Sequence, residues 1–156
     1  DYIIEKASEK EMQIILNPSP YNNKLDKCDL NKISLFLVNE IEGEQITGEK
    51  EPDEILKKFS QMYPDASVVL TLGGDGAVYQ DKKGIYRQGI FPVKAVDTTA
   101  AGDTFTGYFL ASVLEKMSPE EGLRMAAKAS SIAVSRLGAA ASVPMRNEVM
   151  EALERE

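Results

Sequence analysis

Short apolar runs alternate along the chain with segments whose apolar residues recur at helical spacing. The strongest run is Ser67–Leu72, which is β-branched or apolar almost throughout, and shorter runs lie at Leu35–Val38 and Gln13–Asn17. Apolar runs of this length, bounded by turn residues, are typical of buried strands. Ala77–Tyr79 and Ile85–Arg87 are predicted to form an antiparallel pair around a glycine-containing turn.

Helical segments separate the strands, and they are predicted at residues 1–11, 40–47, 52–62, 102–116, 119–136 and 146–154. The fifth has a well-marked start, because Ser118 is an N-cap residue, Pro119 fits the first helical position and Glu121 fits the third. Apolar strands that alternate with helices indicate a parallel sheet. The predicted fold class is therefore α/β, with a mostly parallel sheet and helices on both faces.

Length, charge and residue usage exclude several classes of function. A chain of 156 residues can bury the core of one domain. The net charge of −7, with both signs interspersed, argues against nucleic acid and membranes as partners, and no apolar run reaches membrane-spanning length. The single cysteine, Cys28, cannot form an internal disulfide and fits a cytoplasmic protein. Because histidine is absent, acid–base chemistry must rest on carboxylates, lysines or tyrosines.

The stretch from Asp97 to Phe105 carries the most specific pattern in the chain. It follows an extended-looking segment at Val93–Val96 and leads into an apolar, helix-forming run. Small residues at a strand-to-helix junction leave N–H groups uncovered, and the positive end of the helix dipole favours an anion such as a phosphoryl group. Asp103 is then either the N-cap of the helix or a base that accepts a proton from an attacking hydroxyl group.

The residues Asp97-Thr98-Thr99-Ala100-Ala101-Gly102-Asp103 resemble the Asp-Thr-x-x-Ala-Gly-Asp signature of the ribokinase-like (phosphofructokinase-B type) carbohydrate kinases. The resemblance extends from about Gln13 to the C-terminus and covers the second half of a typical family member. It implies that residues 1–156 are the C-terminal ATP-binding and catalytic part of a Rossmann-like, three-layer domain. The N-terminal sugar-binding half and the lid are then absent.

The resemblance also implies ATP-dependent phosphorylation of a sugar primary hydroxyl, with ribose as the expected sugar. In this interpretation Asp103 is the base, and the backbone amides of Ala100, Ala101 and Gly102 form an anion hole. Kinases acting on fructose, a keto-deoxy sugar acid or a nucleoside remain alternatives, as does a nucleotide-binding fragment without catalysis. A cytoplasmic homodimer is expected for the full-length protein.

Asn39 and Glu42 lie where a strand meets a helix, and two interpretations stay open. Their spacing is that of an N-cap residue and the third helical residue, which together form a capping box. The spacing also resembles the family's Asn-x-x-Glu motif, which arranges phosphates and magnesium-bound water. Mg²⁺ suits such a site because it prefers oxygen ligands and keeps several waters.

The end of the strongest predicted strand is rich in glycine. A hairpin turn explains this composition, and glycines also let a nucleotide approach the backbone closely. The resemblance assigns ATP binding to this segment, which comprises Thr71, Leu72, Gly73, Gly74, Asp75 and Gly76. It also places Ala127 beside the adenine, where alanine offers no side-chain hydrogen bond, although small residues such as Ala127 also serve close helix packing.

A potassium site is implied by the resemblance alone. Its ligands would come from the signature and from the loop after the fifth helix, mostly through backbone carbonyls: Asp97, Thr99, Ala133, Arg136, Gly138 and Ser142.

Overall fold

The computed structural model describes residues 1–155, which contain six α-helices and five strands. The helices are α1 (Tyr2–Glu9), α2 (Glu40–Thr47), α3 (Pro52–Met62), α4 (Ala101–Leu114), α5 (Pro119–Val134) and α6 (Arg146–Glu154). The strands are β1 (Ile15–Leu16), β2 (Leu35–Asn39), β3 (Ser67–Thr71), β4 (Ala77–Gln80) and β5 (Ile85–Gln88). No helix in the described range is both long and apolar enough to cross a bilayer.

The five strands form one sheet in the order β1-β2-β3-β4-β5. Strands β1, β2 and β3 run parallel, and Leu35 of β2 lies between Ile15 of β1 and Ser67 of β3. The predicted α/β class is therefore confirmed. The extended-looking segment at Val93–Val96 is not a strand, and its last N–H donates to the carbonyl of Val134 instead.

The chain divides into two compact units. The first comprises Asp1–Leu72 with Val78–Ile85, and the second comprises Gly73–Ala77 with Tyr86–Glu156. The core of the first unit is built on β2 and α3, because the β2 residue Phe36 is fully buried and its ring centroid lies 5.2 Å from that of Phe59. Burial on both faces of β2 and β3 explains why their sequences read as continuous apolar runs.

The second unit is built on α4 packed against α5. Three α5 alanines, Ala126, Ala129 and Ala133, are fully buried. A Cβ atom added to Gly122 would lie 3.3 Å from the Cβ of Ser112, so small side chains allow the two helices to approach closely. The predicted packing role of the small residues of α5 is thereby confirmed.

Candidate active site

In the first unit, polar side chains meet at the carboxyl ends of two parallel strands. Asn39 at the end of β2 is the register partner of Thr71 at the end of β3. The Thr71 hydroxyl donates to the carbonyl of Val38 at 3.5 Å, which joins the two strand ends. Ligands of open α/β sheets bind at this edge, because the loops that follow the strands open there.

Asn39 and Glu42 form a complete capping box at the start of α2. The Glu42 N–H donates to Asn39 Oδ1 at 2.9 Å, and the Asn39 N–H donates to Glu42 Oε2 at 3.0 Å. Glu42 is buried, with 5% of its surface exposed, whereas Asn39 is exposed. The helix ends at Gly48, which is left-handed at φ +77°. The capping interpretation is thus confirmed, and both side chains are held rigidly at the strand edge.

In the second unit, the glycine-rich segment forms a short 3₁₀ turn, Gly73–Asp75. Its glycines divide into two kinds. A Cβ atom at Gly76 would lie 2.0 Å from the carbonyl oxygen of Gln88, and the residue has φ +101°. Cβ atoms at Gly73 and Gly74 would meet no atom within 4 Å, and both residues are exposed. Gly76 is therefore required by the fold. Gly73, at φ +51°, also has a backbone conformation that favours glycine, and both Gly73 and Gly74 leave bare backbone facing open space.

The first turn of α4 differs from the capped helix starts of α2 and α5. Its N-cap residue is Ala100, in the left-handed region at φ +61°, and no side chain caps the helix. Asp103 is the third helical residue, so the N-cap interpretation of Asp103 is wrong, and its carboxylate is exposed. The Ala101 N–H donates to the Thr98 carbonyl at 3.2 Å.

One of the three amides of the predicted anion hole is therefore used in an internal hydrogen bond. Because the Ala101 amide is used within the turn, the amides available to an anion are those of Ala100, Gly102 and Asp103, which find no acceptor within residues 1–155. A Cβ atom at Gly102 would meet nothing within 4 Å, so this backbone is also open. Uncovered N–H groups at a helix start form a site for an anion.

Asp97 ties the signature to the loop after α5. One carboxylate oxygen accepts the Thr99 N–H at 2.9 Å, and the other accepts the Gly138 N–H at 3.0 Å. Hydrogen bonds from the Thr99 side chain and then from the two backbone amides lower the pKa of Asp97 below its ordinary value. The carboxylate is therefore a fixed negative charge at neutral pH.

The other residues assigned to the potassium site surround the same loop. Ser142 is fully buried, and its hydroxyl donates to the Ala139 carbonyl at 2.7 Å. The Ala133 carbonyl accepts the Arg136 N–H at 3.0 Å, and the Arg136 guanidinium pairs with Glu148 at 2.7 Å. The Arg136 side chain therefore serves the fold, which leaves its carbonyl as the group that suits a cation.

Two contacts in the second unit escaped the sequence interpretation. The Ser130 hydroxyl donates to the Ala101 carbonyl at 3.0 Å and so fixes α5 against the first residue of α4. The Lys128 ammonium lies 4.6 Å from the centroid of the Phe91 ring. A serine on a helix of small residues offered a weak signal for the first contact, but no sequence pattern connects Lys128 with Phe91.

Taken by unit, the structure groups the candidate residues in two sets. The first unit holds Asn39, Glu42, Thr71 and Leu72, and the second holds the glycine turn, the signature, Ala127 and the loop after α5. Ala127 is buried on α5 with 8% of its surface exposed. No cluster of three or more Asp, Glu, His or Cys side chains with metal-binding geometry occurs within residues 1–155.

Comparison with known proteins identifies the class to which this fold and signature belong. Residues 2–146 match the pfkB family carbohydrate kinases, and the chain therefore belongs to that family.

The similar proteins include ribokinases from several organisms. The ribokinase of Haemophilus influenzae is 38% identical over 154 residues, which cover 95% of this chain and 49% of that protein. Among solved structures, ribokinase from Thermotoga maritima has a TM-score of 0.85 at 32% identity, covering 97% of this chain and 52% of the other. Arabidopsis thaliana ribokinase, solved with ribose and ATP, has a TM-score of 0.82 at 30% identity, covering 97% and 51%. The chain thus spans about half the length of the curated relatives it matches.

Proposed function

We propose that this chain is the C-terminal, ATP-binding and catalytic part of a kinase that phosphorylates the primary hydroxyl of ribose. The observation that carries the proposal is Asp103, whose exposed carboxylate stands beside the uncovered amides at the start of α4. A carboxylate at an anion site is repelled by a bound phosphate, so its position there needs a chemical reason. Accepting the proton of the attacking hydroxyl is such a reason.

The bare glycine backbone supports ATP as the phosphoryl donor. Gly73 and Gly74 present exposed backbone that nothing in the described residues covers. In the proposal, this backbone receives the nucleotide and the amides of Gly102 and Asp103 stabilise the transferred phosphoryl group. The Arabidopsis relative solved with ribose and ATP supports the same pair of substrates.

Asn39 and Glu42 fit a role near Mg²⁺. Both present oxygen atoms, which that ion prefers, and the capping box holds them in one orientation. A carboxylate can accept more than one hydrogen bond, so the Asn39 N–H does not exhaust Glu42. When bound, Mg²⁺ would neutralise phosphate charge, and the role of Asn39 and Glu42 would be to orient the waters of the ion.

The loop around Asp97 fits a monovalent cation. An ionised carboxylate, the carbonyls of Thr99, Ala133, Arg136 and Gly138, and the Ser142 hydroxyl make a set of oxygen donors suited to K⁺. A bound cation would add positive charge near the signature. In this chain, the Asp97 carboxylate already links the signature to the loop after α5 through the Gly138 N–H.

The direct test replaces the proposed base in the complete enzyme. Asp103→Asn should reduce kcat by about 10²–10⁴-fold and leave the melting temperature and the Kd of ATP nearly unchanged. Glu120→Gln is the matched control, because Glu120 is also an exposed acid in the first turn of a helix. Normal turnover by Asp103→Asn would refute the assignment of the base.

A second candidate is nucleotide binding without catalysis by this chain alone. The observation that favours it is the coverage of only about half of each relative. Positioning of the acceptor hydroxyl provides much of the rate enhancement in phosphoryl transfer. In our interpretation, the residues that bind the sugar belong to the unmatched half of the relatives. We expect weak ATP binding and no useful ribose phosphorylation from the 156 residues alone. Saturable phosphorylation of ribose by the purified chain would contradict this expectation.

A further inference from the structure

Helix α5 carries two adjacent serines whose hydroxyl groups bond in different directions. The buried Ser131 hydroxyl donates to the Lys128 carbonyl of its own helix at 2.8 Å, which is the usual behaviour of serine inside a helix. The Ser130 hydroxyl instead donates across to the Ala101 carbonyl at the start of α4, at 3.0 Å. Serine stabilises a helix less than alanine does, and alanine is the commonest residue of α5. The presence of Ser130 therefore needs a reason outside its own helix.

The same face of α5 holds the signature at two points. Ser130 and Val134 are four residues apart, so they lie one turn apart on one face of the helix. The Val134 carbonyl, at the end of α5, accepts the N–H groups of Val96 at 2.8 Å and of Asp97 at 3.2 Å. The Ser130 hydroxyl bonds to Ala101 at the other end of the signature turn. One face of α5 therefore fixes the chain on both sides of the turn that precedes α4.

The turn between these two points is strained at Ala100. This residue has φ +61°, a left-handed conformation that costs a non-glycine residue free energy and persists only where the surroundings impose it. Within the turn, the Ala101 N–H donates to the Thr98 carbonyl at 3.2 Å, and the Thr104 N–H donates to the Ala100 carbonyl at 2.8 Å. A helical carbonyl can accept a second hydrogen bond, so the Ser130 bond is additional to the helical ladder. It restrains the turn directly beside its strained residue.

We propose that Ser130 is a positioning residue for the phosphoryl site. Its hydroxyl holds the first turn of α4, so that the amides of Gly102 and Asp103 and the Asp103 carboxylate keep the directions that the reaction requires. Both residues directly follow the carbonyl that Ser130 holds, and both are exposed. Reactive groups lose rate steeply when they are displaced by about 1 Å, so they depend on supporting hydrogen bonds of this kind.

The test of the effect on rate compares Ser130→Ala with Ser131→Ala in the complete enzyme. Ser130→Ala should lower kcat about 2–10-fold, which is the loss of one hydrogen bond expressed as a rate. The KM for ATP and the melting temperature should stay nearly unchanged, because the lost bond is additional to the helical ladder and alanine favours the helix. Ser131→Ala removes a hydroxyl group from the adjacent position and should keep the wild-type kcat. This effect on rate rests on the proposed function, whereas the hold of Ser130 on the turn does not.

Amide hydrogen exchange in the same variants tests the hold on the turn without any catalysis. In Ser130→Ala, the Thr104 N–H should exchange about 2–10-fold faster than in the wild type. The reason is that opening the first turn of α4 no longer breaks the bond between Ser130 and Ala101. Ser131→Ala should leave the exchange rate of the Thr104 N–H unchanged.

Exchange and turnover together separate positioning from a structural role. A wild-type kcat in Ser130→Ala, or an equal loss of kcat in Ser131→Ala, would overturn the proposal. An unchanged exchange rate at Thr104 in Ser130→Ala would overturn it as well. A lower melting temperature with unchanged kcat would give Ser130 a structural role alone. Normal turnover by Asp103→Asn, together with faster exchange in Ser130→Ala, would refute the proposed function and still support the hold of Ser130 on the turn.

Discussion

Two glycines in one turn allow the fold to be separated from ligand binding. Gly76 has no room for a side chain, because a Cβ atom would lie 2.0 Å from the carbonyl oxygen of Gln88. Gly74, two residues earlier, has open space around it and no left-handed φ. We therefore expect Gly76→Ala to destabilise the fold and Gly74→Ala to leave it intact while weakening ATP binding.

The magnitude for Gly76→Ala follows from two costs. An L-residue held at φ +101° is strained by about 1–3 kcal/mol, and the methyl group forces a displacement of the Gln88 backbone that costs about as much again. The sum of about 2–6 kcal/mol is a large part of the stability of an ordinary domain. At about 2–4 °C per kcal/mol for a chain of this size, the melting temperature should fall by at least about 4 °C.

The assay is thermal unfolding of both variants and the wild type, with and without MgATP. Without ligand, Gly74→Ala should melt about 1–4 °C above the wild type, since the change removes only unfolded-state freedom worth about 0.4–1 kcal/mol. With MgATP its shift in melting temperature should be smaller than that of the wild type. The reasoning is refuted if Gly76→Ala melts normally, or if Gly74→Ala keeps the full ATP-induced shift.

Three further predictions concern stability and the capping box. The pKa of Asp97 is lowered in the fold, so its contribution to stability is present above the unfolded value of about 3.9 and is lost as the pH falls through the folded value. Asp97→Asn should accordingly lower the melting temperature at pH 7, with a difference that shrinks toward pH 3. The Thr104 hydroxyl is buried without a partner among the described residues, so Thr104→Val should be neutral or stabilising by about 1 kcal/mol. Thr47→Val removes a hydrogen bond of 2.7 Å to the Gly43 carbonyl and should destabilise the fold by a similar amount. Unfolding in urea measures the free-energy change of both variants. Asn39→Ser should keep the cap and the melting temperature but reduce turnover of the complete enzyme, whereas unchanged turnover would leave Asn39 with a capping role alone.

The sequence predicted most of the fold because most elements carry local signals. Helices α2 and α3 begin and end at the predicted residues, since a capping box, an N1 proline and a terminal glycine mark their ends. Strands β2 and β3 were visible as apolar runs because both faces are buried. The segment Val93–Val96 looks extended in sequence but is not a strand of the sheet. Its apolar residues are exposed, and its hydrogen bonds go to Val134, a distant partner that no local pattern indicates.

The candidate site was predictable as a set of residues but not as a set of atoms. The signature predicted three amides for the anion hole, yet Ala101 uses its N–H for the Thr98 carbonyl. For the glycine turn, the sequence offered a hairpin and close approach of a nucleotide as explanations, and it did not indicate that Gly76 is required by its contact with the Gln88 carbonyl. Both differences arise from backbone hydrogen bonds and contacts, which depend on the folded path of the chain and leave no trace in residue types.

The two residues for which a cap and a chemical role were weighed lead to different conclusions. For Asp103 the alternatives exclude each other at the level of geometry, because Ala100 occupies the N-cap position and the Asp103 side chain has no capping bond. For Asn39, a capping role and a binding role are compatible. The hydrogen bonds with Glu42 that cap α2 also fix both side chains beside the end of β3. A rigid side chain is what a ligand site requires, since its rotamer entropy is already lost before the ligand arrives. Evidence for the cap at Asn39 therefore does not count against a role in binding, and only a substitution that preserves the cap can separate the two.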